Sequence, residues 1–308
     1  SRWKRKRERL TRLDALLEQI PRAGAGRVLD VGCGKGELLV RAIERLGGTG
    51  VGVEPNPAFA AEARTRIRQR LAPGAASILE QKFADATRPD HACTLGICTG
   101  SLHAFGDWSV ALDGMSRLVT AGGWAIMAPG YWKRQPSPDY ITALGGREDE
   151  LLSLTATTAM AKARGWQVLS CHESTLDDWD IYEHRYAANM RAWCAAHFDD
   201  ADAKCFSVRI EHWSAAYERW GRDTMGYVLL LLRRASKRAT SSFSGHRAGV
   251  RGLLAVRRCR RVRQVRVRQL DRPARVEVAV RAFAADRAHR CRRQRLQDRA
   301  SADRHRLL

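Results

Sequence analysis

The segment from Arg27 to Glu37 constrains the fold of this chain more than any other. Its apolar residues Val28, Leu29 and Val31 predict a short buried strand, and a Gly-x-Gly-x-Gly turn follows that strand at once. After the turn, apolar residues recur at the spacing of an amphipathic helix. Strand, glycine turn and helix in this order predict the opening unit of a parallel α/β sheet, in which glycines let the backbone approach a ligand closely.

The details of the turn exclude two common phosphate-binding motifs. A P-loop requires Ser or Thr after its Gly-Lys pair, but here Lys35 is followed by Gly36. A dinucleotide fingerprint has a third glycine where this chain has Glu37, and an acid there would face a pyrophosphate. The turn therefore suits a nucleoside ligand without phosphate. Glu54 ends the next predicted strand, where its carboxylate can accept hydrogen bonds from both ribose hydroxyls.

These motifs resemble those of the class I S-adenosylmethionine-dependent methyltransferases. The resemblance rests on VLDVGCGKGELL, which begins at Val28, and on GVGVEPNP, which begins at Gly50, in the order that the family uses. It implies that S-adenosylmethionine is the cofactor. It also implies that Asp30 orders the loop or reaches the methionine amino group, and that Glu54 holds the ribose diol. The methionine and ribose side of the cofactor would be lined by Gly32, Gly34 and Gly36.

Strand and helix patterns alternate along the rest of the chain. They predict a doubly wound, seven-stranded, Rossmann-like α/β sheet whose strands are parallel except for an antiparallel seventh. The predicted strands are 28–31, 51–54, 77–81, 93–98, 124–128, 166–171 and 225–232. A helical, aromatic-rich insertion at about 178–221, between the last two strands, is expected to be a lid over the active edge of the sheet. Alternatively, its aromatic side chains form the insertion's own core.

Ligands of such sheets bind beyond the carboxyl ends of the strands, so the loops at that edge supply further site residues. By resemblance, Asp85 is the acid that contacts the adenine amino group, with a solvated turn residue as the alternative. The loop after the fourth strand brings Gly100 and Ser101 to the cofactor. It also brings His103, the candidate general base, which is otherwise a structural histidine. The candidate substrate contacts are Tyr131, Trp132, Trp179, Tyr182 and His184.

The predicted methyl acceptor is a small molecule. The run RLVTAGGWAIMAPGYWKR, which begins at Arg117, resembles the small-molecule methyltransferases of the type 11 group. The Asn-Pro-Pro-Tyr motif of DNA and protein-glutamine amide methyltransferases is missing after the fourth strand, where the sequence is Thr99-Gly100-Ser101-Leu102. This absence argues against amino methylation of DNA bases.

Charge divides the chain near residue 236. The formal net charge of +21 is concentrated from Lys237 onward, where arginine is frequent and lysine occurs once. We therefore expect a methyltransferase domain over residues 1–236 and an Arg-rich tail over 237–308, either disordered or the product of a shifted reading frame. A nucleic-acid-binding arm is the alternative, but single-strand binders interleave aromatic residues for stacking, and the tail has almost none.

Together these observations predict a cytoplasmic enzyme that transfers a methyl group from S-adenosylmethionine to a small molecule. The eight cysteines form no Cys-x-x-Cys pair, so no metal site is expected, and no apolar run is long enough to span a membrane. Two alternatives remain: an RNA methyltransferase anchored by the tail, and a protein that binds S-adenosylmethionine without catalysis. Salt-dependent RNA binding that is lost with the tail would favour the first alternative, and cofactor binding without turnover would favour the second.

Overall fold

The computed structural model describes residues 13–22, 26–86 and 92–236. The predictions for the Arg-rich tail, 237–308, lie outside these residues. The first described helix is α1, residues 13–18. The other described helices are α2 (Glu37–Leu46), α3 (Pro57–Arg70), α4 (Trp108–Leu118), α5 (Pro138–Leu144), α6 (Leu154–Ala163), α7 (Leu176–Ala196), α8 (Ala201–Ala216) and α9 (Arg222–Thr224). The described strands are β1 (Arg27–Val31), β2 (Thr49–Val53), β3 (Ala76–Leu79), β4 (Cys93–Thr99), β5 (Val119–Ala128), β6 (Gly130–Trp132), β7 (Trp166–Glu173) and β8 (Met225–Arg234).

The strands form one mixed sheet with the order β3-β2-β1-β4-β5-β8, and β7 lies on the far side of β8. The pairs β1–β2, β2–β3, β1–β4 and β4–β5 are parallel, whereas β8 runs antiparallel to both β5 and β7. The doubly wound, mostly parallel fold with an antiparallel last strand is therefore confirmed. Because β8 is antiparallel, its first residues lie at the same edge as the carboxyl ends of the parallel strands.

The described sheet has eight strands where the sequence predicted seven, because Pro129 interrupts the fifth. Strands β5 and β6 both pair with the same side of β8, Met127 opposite Leu230 and Gly130 opposite Tyr227, with no change of register. Pro129 lies between them and has no N–H to donate to the ladder. The outline of seven strands is thus preserved, and β6 continues β5 beyond the edge at which the other parallel strands end.

Two apolar clusters cover the two faces of the sheet. One contains Leu16 of α1, Leu39 of α2 and residues of α3, and the other contains Met115 of α4 and Ala161 of α6. Successive residues of β1 alternate between the two clusters, as the pleat of a strand requires. Helices on both faces explain why the central strands are apolar throughout.

Residues 174–224, between β7 and β8, form the predicted helical insertion, and most of them belong to the antiparallel pair α7 and α8. Arg191 of α7 donates two hydrogen bonds to the Glu211 carboxylate of α8, at 2.7 and 2.8 Å. At the base of the insertion, the Arg222 guanidinium donates two hydrogen bonds of 2.9 Å to the Asp180 carboxylate, and the Tyr217 hydroxyl donates a third of 2.7 Å. The two ends of the insertion are thereby joined.

Within residues 13–22, 26–86 and 92–236, no helix combines the length and apolar character needed to cross a bilayer. In the same part of the chain, no three His, Cys, Asp or Glu side chains come together in a way that could hold a metal ion.

Candidate cofactor and acceptor site

The glycine turn between β1 and α2 has the backbone geometry that its sequence predicted. Gly32, Gly34 and Gly36 have φ angles of +69°, +55° and +73°, in the left-handed region that favours glycine. Two of these glycines also meet close neighbours. A Cβ at Gly32 would lie 2.4 Å from the Cβ of Ser101, and a Cβ at Gly36 would lie 3.0 Å from the Cβ of Ala63. The turn is therefore held between the loop after β4 and helix α3.

The Glu54 carboxylate, at the end of β2, is fixed by two backbone hydrogen bonds. The Gly34 N–H donates to its Oε2 at 3.0 Å, and the Asn56 N–H donates to its Oε1 at 2.8 Å. The side chain is 5% exposed. A carboxylate oxygen can accept more than one hydrogen bond, so both oxygens keep a lone pair for a further donor. This geometry suits two vicinal hydroxyls.

Asp30 lies at the end of β1 and is 2% exposed. Burial, and to a smaller extent the charge of Glu54, raise the pKa of Asp30 from its usual 3.8 to about 7, and interaction with the Leu39 backbone limits the rise. Leu39 lies in the first turn of α2, whose N-cap is Gly36 and offers no side-chain cap. Asp30 therefore interacts with the first turn of α2, just after the glycine turn. This placement favours the first of the two roles expected for Asp30, which is ordering the loop.

The pKa of Asp30 leads to a prediction for stability. The folded-state pKa lies above the unfolded one, so the fold loses stability as pH rises from about 4 to 7, where the buried carboxyl must ionise. Asp30→Asn keeps the shape and an acceptor oxygen but cannot ionise. We expect it to raise the midpoint of thermal unfolding by about 5 °C at pH 8 and by much less at pH 5. Asp85→Asn, at an exposed carboxylate, is the control. An equal gain at both pH values would contradict the prediction.

The loop after β4 is tied to the end of β1 by Ser101, which is 7% exposed. The Ser101 hydroxyl donates to the Val31 carbonyl, and its Oγ lies 3.4 Å from the Sγ of Cys98. Gly100 turns this loop with a φ of +77°. Since the Ser101 hydroxyl already has a backbone acceptor, its placement favours a role in holding the loop. Direct contact of Gly100 and Ser101 with the cofactor stays a prediction.

Two further predicted site residues lie on turns at the same edge of the sheet. His103 lies in a 3-10 turn, Leu102–Ala104, where its side chain remains exposed while partial desolvation lowers its pKa below the usual 6.5. Asp85 ends the 3-10 turn Phe83–Asp85 after β3, and its side chain is exposed. A lowered pKa keeps the imidazole neutral at physiological pH, as a general base requires. The roles of both residues stay predictions.

Helix α7 brings two of the predicted substrate residues close to the loop after β4. The ring centroid of Trp179 lies 6.1 Å from that of Tyr182 and 6.3 Å from that of Tyr227, both in edge-on geometry. The side chain of Tyr227, which is half-buried, in turn lies beside the Gly100 backbone. Tyr227 was missed in the sequence because it lies in an apolar strand. The signal was available, since the start of an antiparallel last strand lies at the cofactor edge.

The other predicted substrate residues lie in different surroundings. Tyr131 is 2% exposed and donates its hydroxyl to the Glu173 carboxylate of the edge strand. The Trp132 indole donates to the Glu148 carbonyl at 2.8 Å, and its ring packs in an apolar cluster beside α5. His184 is exposed on α7, with its Nε2 2.9 Å from the Glu218 carboxylate. Their placement does not favour substrate contact, and that role stays a prediction for all three.

Known proteins with a similar sequence and fold agree with this geometry. Residues 28–123, which carry the glycine turn, Glu54 and the loop after β4, match the family profile of a methyltransferase domain. A solved S-adenosylmethionine-dependent methyltransferase from Geobacter sulfurreducens, in complex with S-adenosylhomocysteine, is 25% identical with a TM-score of 0.65 and covers 74% of this chain and 90% of its own. In its motifs and its fold, the chain is similar to the class I S-adenosylmethionine-dependent methyltransferases. The cofactor of this methyltransferase is S-adenosylmethionine, as its motifs predicted.

Two further proteins are similar to the methyltransferase. One from Thiobacillus denitrificans, also solved with S-adenosylhomocysteine, has a TM-score of 0.65 at 23% identity over 74% of this chain and 91% of its own. The uncharacterised protein YjhP of Escherichia coli is 24% identical over 208 residues, which are 67% of this chain and 84% of YjhP. The crystal structure of YjhP has a TM-score of 0.66. The narrower resemblance to the type 11 group stays a prediction.

Proposed function

We propose that this methyltransferase transfers the methyl group to a small molecule enclosed between the loop after β4 and helix α7. The observation that carries the proposal is the contact of Trp179 with Tyr227, whose side chain lies beside the Gly100 backbone. One side chain thus separates the insertion from the predicted cofactor loop. An acceptor site lined by aromatic rings and covered by a helix suits a small molecule better than a polymer lying on an open surface.

The chain's own contribution to the reaction is position and exclusion of water. Bound S-adenosylmethionine supplies a methyl group that its sulfonium has already activated. Glu54 and the glycine turn hold the nucleoside part in place through a carboxylate and a backbone that are themselves fixed. The aromatic residues of α7 and β8 shield the acceptor from solvent. His103 takes the proton when the acceptor group must lose one.

The proposal is tested by transfer of a labelled methyl group from S-adenosylmethionine, using the full chain. Pools of small molecules, bulk RNA and unfolded protein are offered separately, and the labelled product is identified by mass. We expect label in the small-molecule pool. Label in the RNA pool alone, lost at raised salt, would overturn the proposal in favour of an RNA methyltransferase. Binding of the cofactor with label in no pool would favour a protein that binds it without catalysis.

His103→Asn tests the general base once an acceptor is known. We expect kcat at pH 7.5 to fall by about 100-fold or more, in the range typical of a lost acid–base group. In the native enzyme, activity should rise with pH, and the midpoint of the rise should lie below pH 6.5. The reason is that the base works in its neutral form and that its pKa is lowered. His172→Asn, on the exposed edge strand β7, is the matched control. An unchanged pH profile in His103→Asn would assign His103 a structural role.

A further inference from the structure

The inner face of α7 carries two buried polar groups without partners. Its buried residues are Trp179, Glu183 and Ala187, spaced four apart. The Trp213 indole of α8 donates to Glu183 Oε2 at 2.5 Å, but Glu183 Oε1 and Trp179 Nε1 have no hydrogen-bond partner. The two side chains are only 3% and 6% exposed. An unsatisfied buried group costs about 1–3 kcal/mol, so such a pair calls for an explanation.

Basic side chains of this region pair with carboxylates other than Glu183. Arg222 is committed to Asp180 through two hydrogen bonds, and His184 lies 2.9 Å from the exposed carboxylate of Glu218. The groups that face Glu183 are Trp213 from α8, His184 from α7 itself and Tyr217 from the turn after α8. Among the described residues, Glu183 forms no ion pair. A buried carboxylate without a cation is a strong site for a cationic ligand.

The surroundings of Trp179 suit such a cation. Trp179 and Glu183 lie one helical turn apart on the same face of α7, so a single ligand can reach both side chains. The Trp179 ring meets the rings of Tyr182 and Tyr227 edge-on. Aromatic rings attract an ammonium group through their quadrupoles, and they do so more strongly where water is excluded. The next contact of Tyr227 is Gly100, on the predicted cofactor loop.

We propose that Glu183 and Trp179 are the recognition residues for a methyl acceptor that carries an amine. Glu183 Oε1 accepts a hydrogen bond from the ammonium group, and the rings of Trp179, Tyr182 and Tyr227 flank it. The Trp179 N–H donates to an oxygen atom of the same molecule. Both residues bind the acceptor and take no part in the transfer. This inference rests on the proposed small-molecule function and names the acceptor's chemical class.

Thermal unfolding of Glu183→Gln tests the inference without any acceptor. Glutamine keeps the volume and an oxygen for Trp213 but removes the buried charge. Burial raises the pKa of Glu183 from 4.5 to about 7, so its ionisation destabilises the fold as pH rises through that window. We expect the variant to melt about 2–4 °C higher at pH 8 and with little difference at pH 4.5. A lower melting temperature at pH 8 would mean that the carboxylate is structural, and would overturn the inference.

Methyl transfer by the full chain tests recognition itself. The acceptors are a panel of primary and secondary amines and a matched panel in which hydroxyl or carboxylate replaces the amine. We expect transfer to the amine panel, and a KM for the best amine raised about tenfold or more by Glu183→Gln and severalfold by Trp179→Phe. The controls Glu211→Gln and Trp193→Phe change a carboxylate paired with Arg191 and a ring stacked on His197, and should leave KM unchanged.

The outcomes separate the two proposals. Transfer only to amine-free acceptors, or an unchanged KM in Glu183→Gln, would overturn amine recognition and leave the small-molecule function standing. Transfer to no small molecule by a chain that still binds S-adenosylhomocysteine would overturn the proposed function, and amine recognition with it.

Discussion

Glu54→Ala will weaken binding of S-adenosylhomocysteine by about 100-fold or more in calorimetric titration of the full chain. The variant loses the acceptors for two ribose hydroxyls, and hydrogen bonds to a charged group contribute about 1.5–3 kcal/mol each. It also leaves the N–H groups of Gly34 and Asn56 without the acceptor that holds them at 3.0 and 2.8 Å. The substitution therefore weakens the glycine turn and the ribose site at the same time.

A second substitution at the same position separates these two effects. Glu54→Gln keeps one acceptor oxygen of the same shape, so we expect an intermediate loss of about tenfold. Glu80→Ala, which removes a carboxylate paired with Arg64 at 2.7 Å, should leave affinity unchanged. Affinity of Glu54→Ala within threefold of the native chain, with the fold intact, would show that the ribose is held by other residues.

Gly32→Ala will destabilise the fold by about 2–5 kcal/mol, combining the cost of a left-handed conformation with that of overpacking. The new Cβ would lie 2.4 Å from the Cβ and 2.5 Å from the Oγ of Ser101, which is buried and cannot move aside freely. Denaturant unfolding, followed by fluorescence, measures the loss. Binding of S-adenosylhomocysteine should fall as well, because the turn must shift.

The steric part of this cost can be removed at its source. Ser101→Gly deletes the opposing side chain, so the double variant Gly32→Ala with Ser101→Gly should recover about 1–3 kcal/mol relative to the sum of the single effects. Gly47→Ala is the control, since it has a φ of +77° but open space around its Cβ, and it should show only the conformational cost. Additive effects in the double variant would mean that Gly32 is required for its backbone conformation alone.

The cofactor site could be predicted from the sequence because its residues lie close together along the chain. A strand, a glycine turn and a helix follow each other within a short segment, and Glu54 ends the next strand in the order that the sheet requires. The seven predicted strands were all found, since their apolar runs are bounded by turns and helices. The acceptor half depends on contacts between distant segments, and local patterns do not encode those contacts.

Particular residues show where that limit lies. The sequence shows Pro129 after the fifth strand, but it does not show that the strand resumes beyond Pro129 and pairs with β8. Tyr131 and Trp132 were therefore expected on a loop beside the substrate. In the structure they lie in the sheet and in an apolar cluster. Glu183 was missed for a different reason. An acid in a helical pattern is ordinarily expected on the solvent side, and only the packing of α7 against α8 reveals it as buried.

The hydrogen bonds that join Asp180 to Arg222 and Tyr217 have a consequence for how this enzyme can diversify. They join the two ends of residues 174–224, so the positions at which the segment leaves β7 and enters β8 are fixed relative to each other. Substitutions within α7 and α8 can then change the proposed acceptor site without moving the strands that carry the cofactor motifs. The insertion can therefore be reshaped while the edge of the sheet that carries the cofactor motifs stays the same.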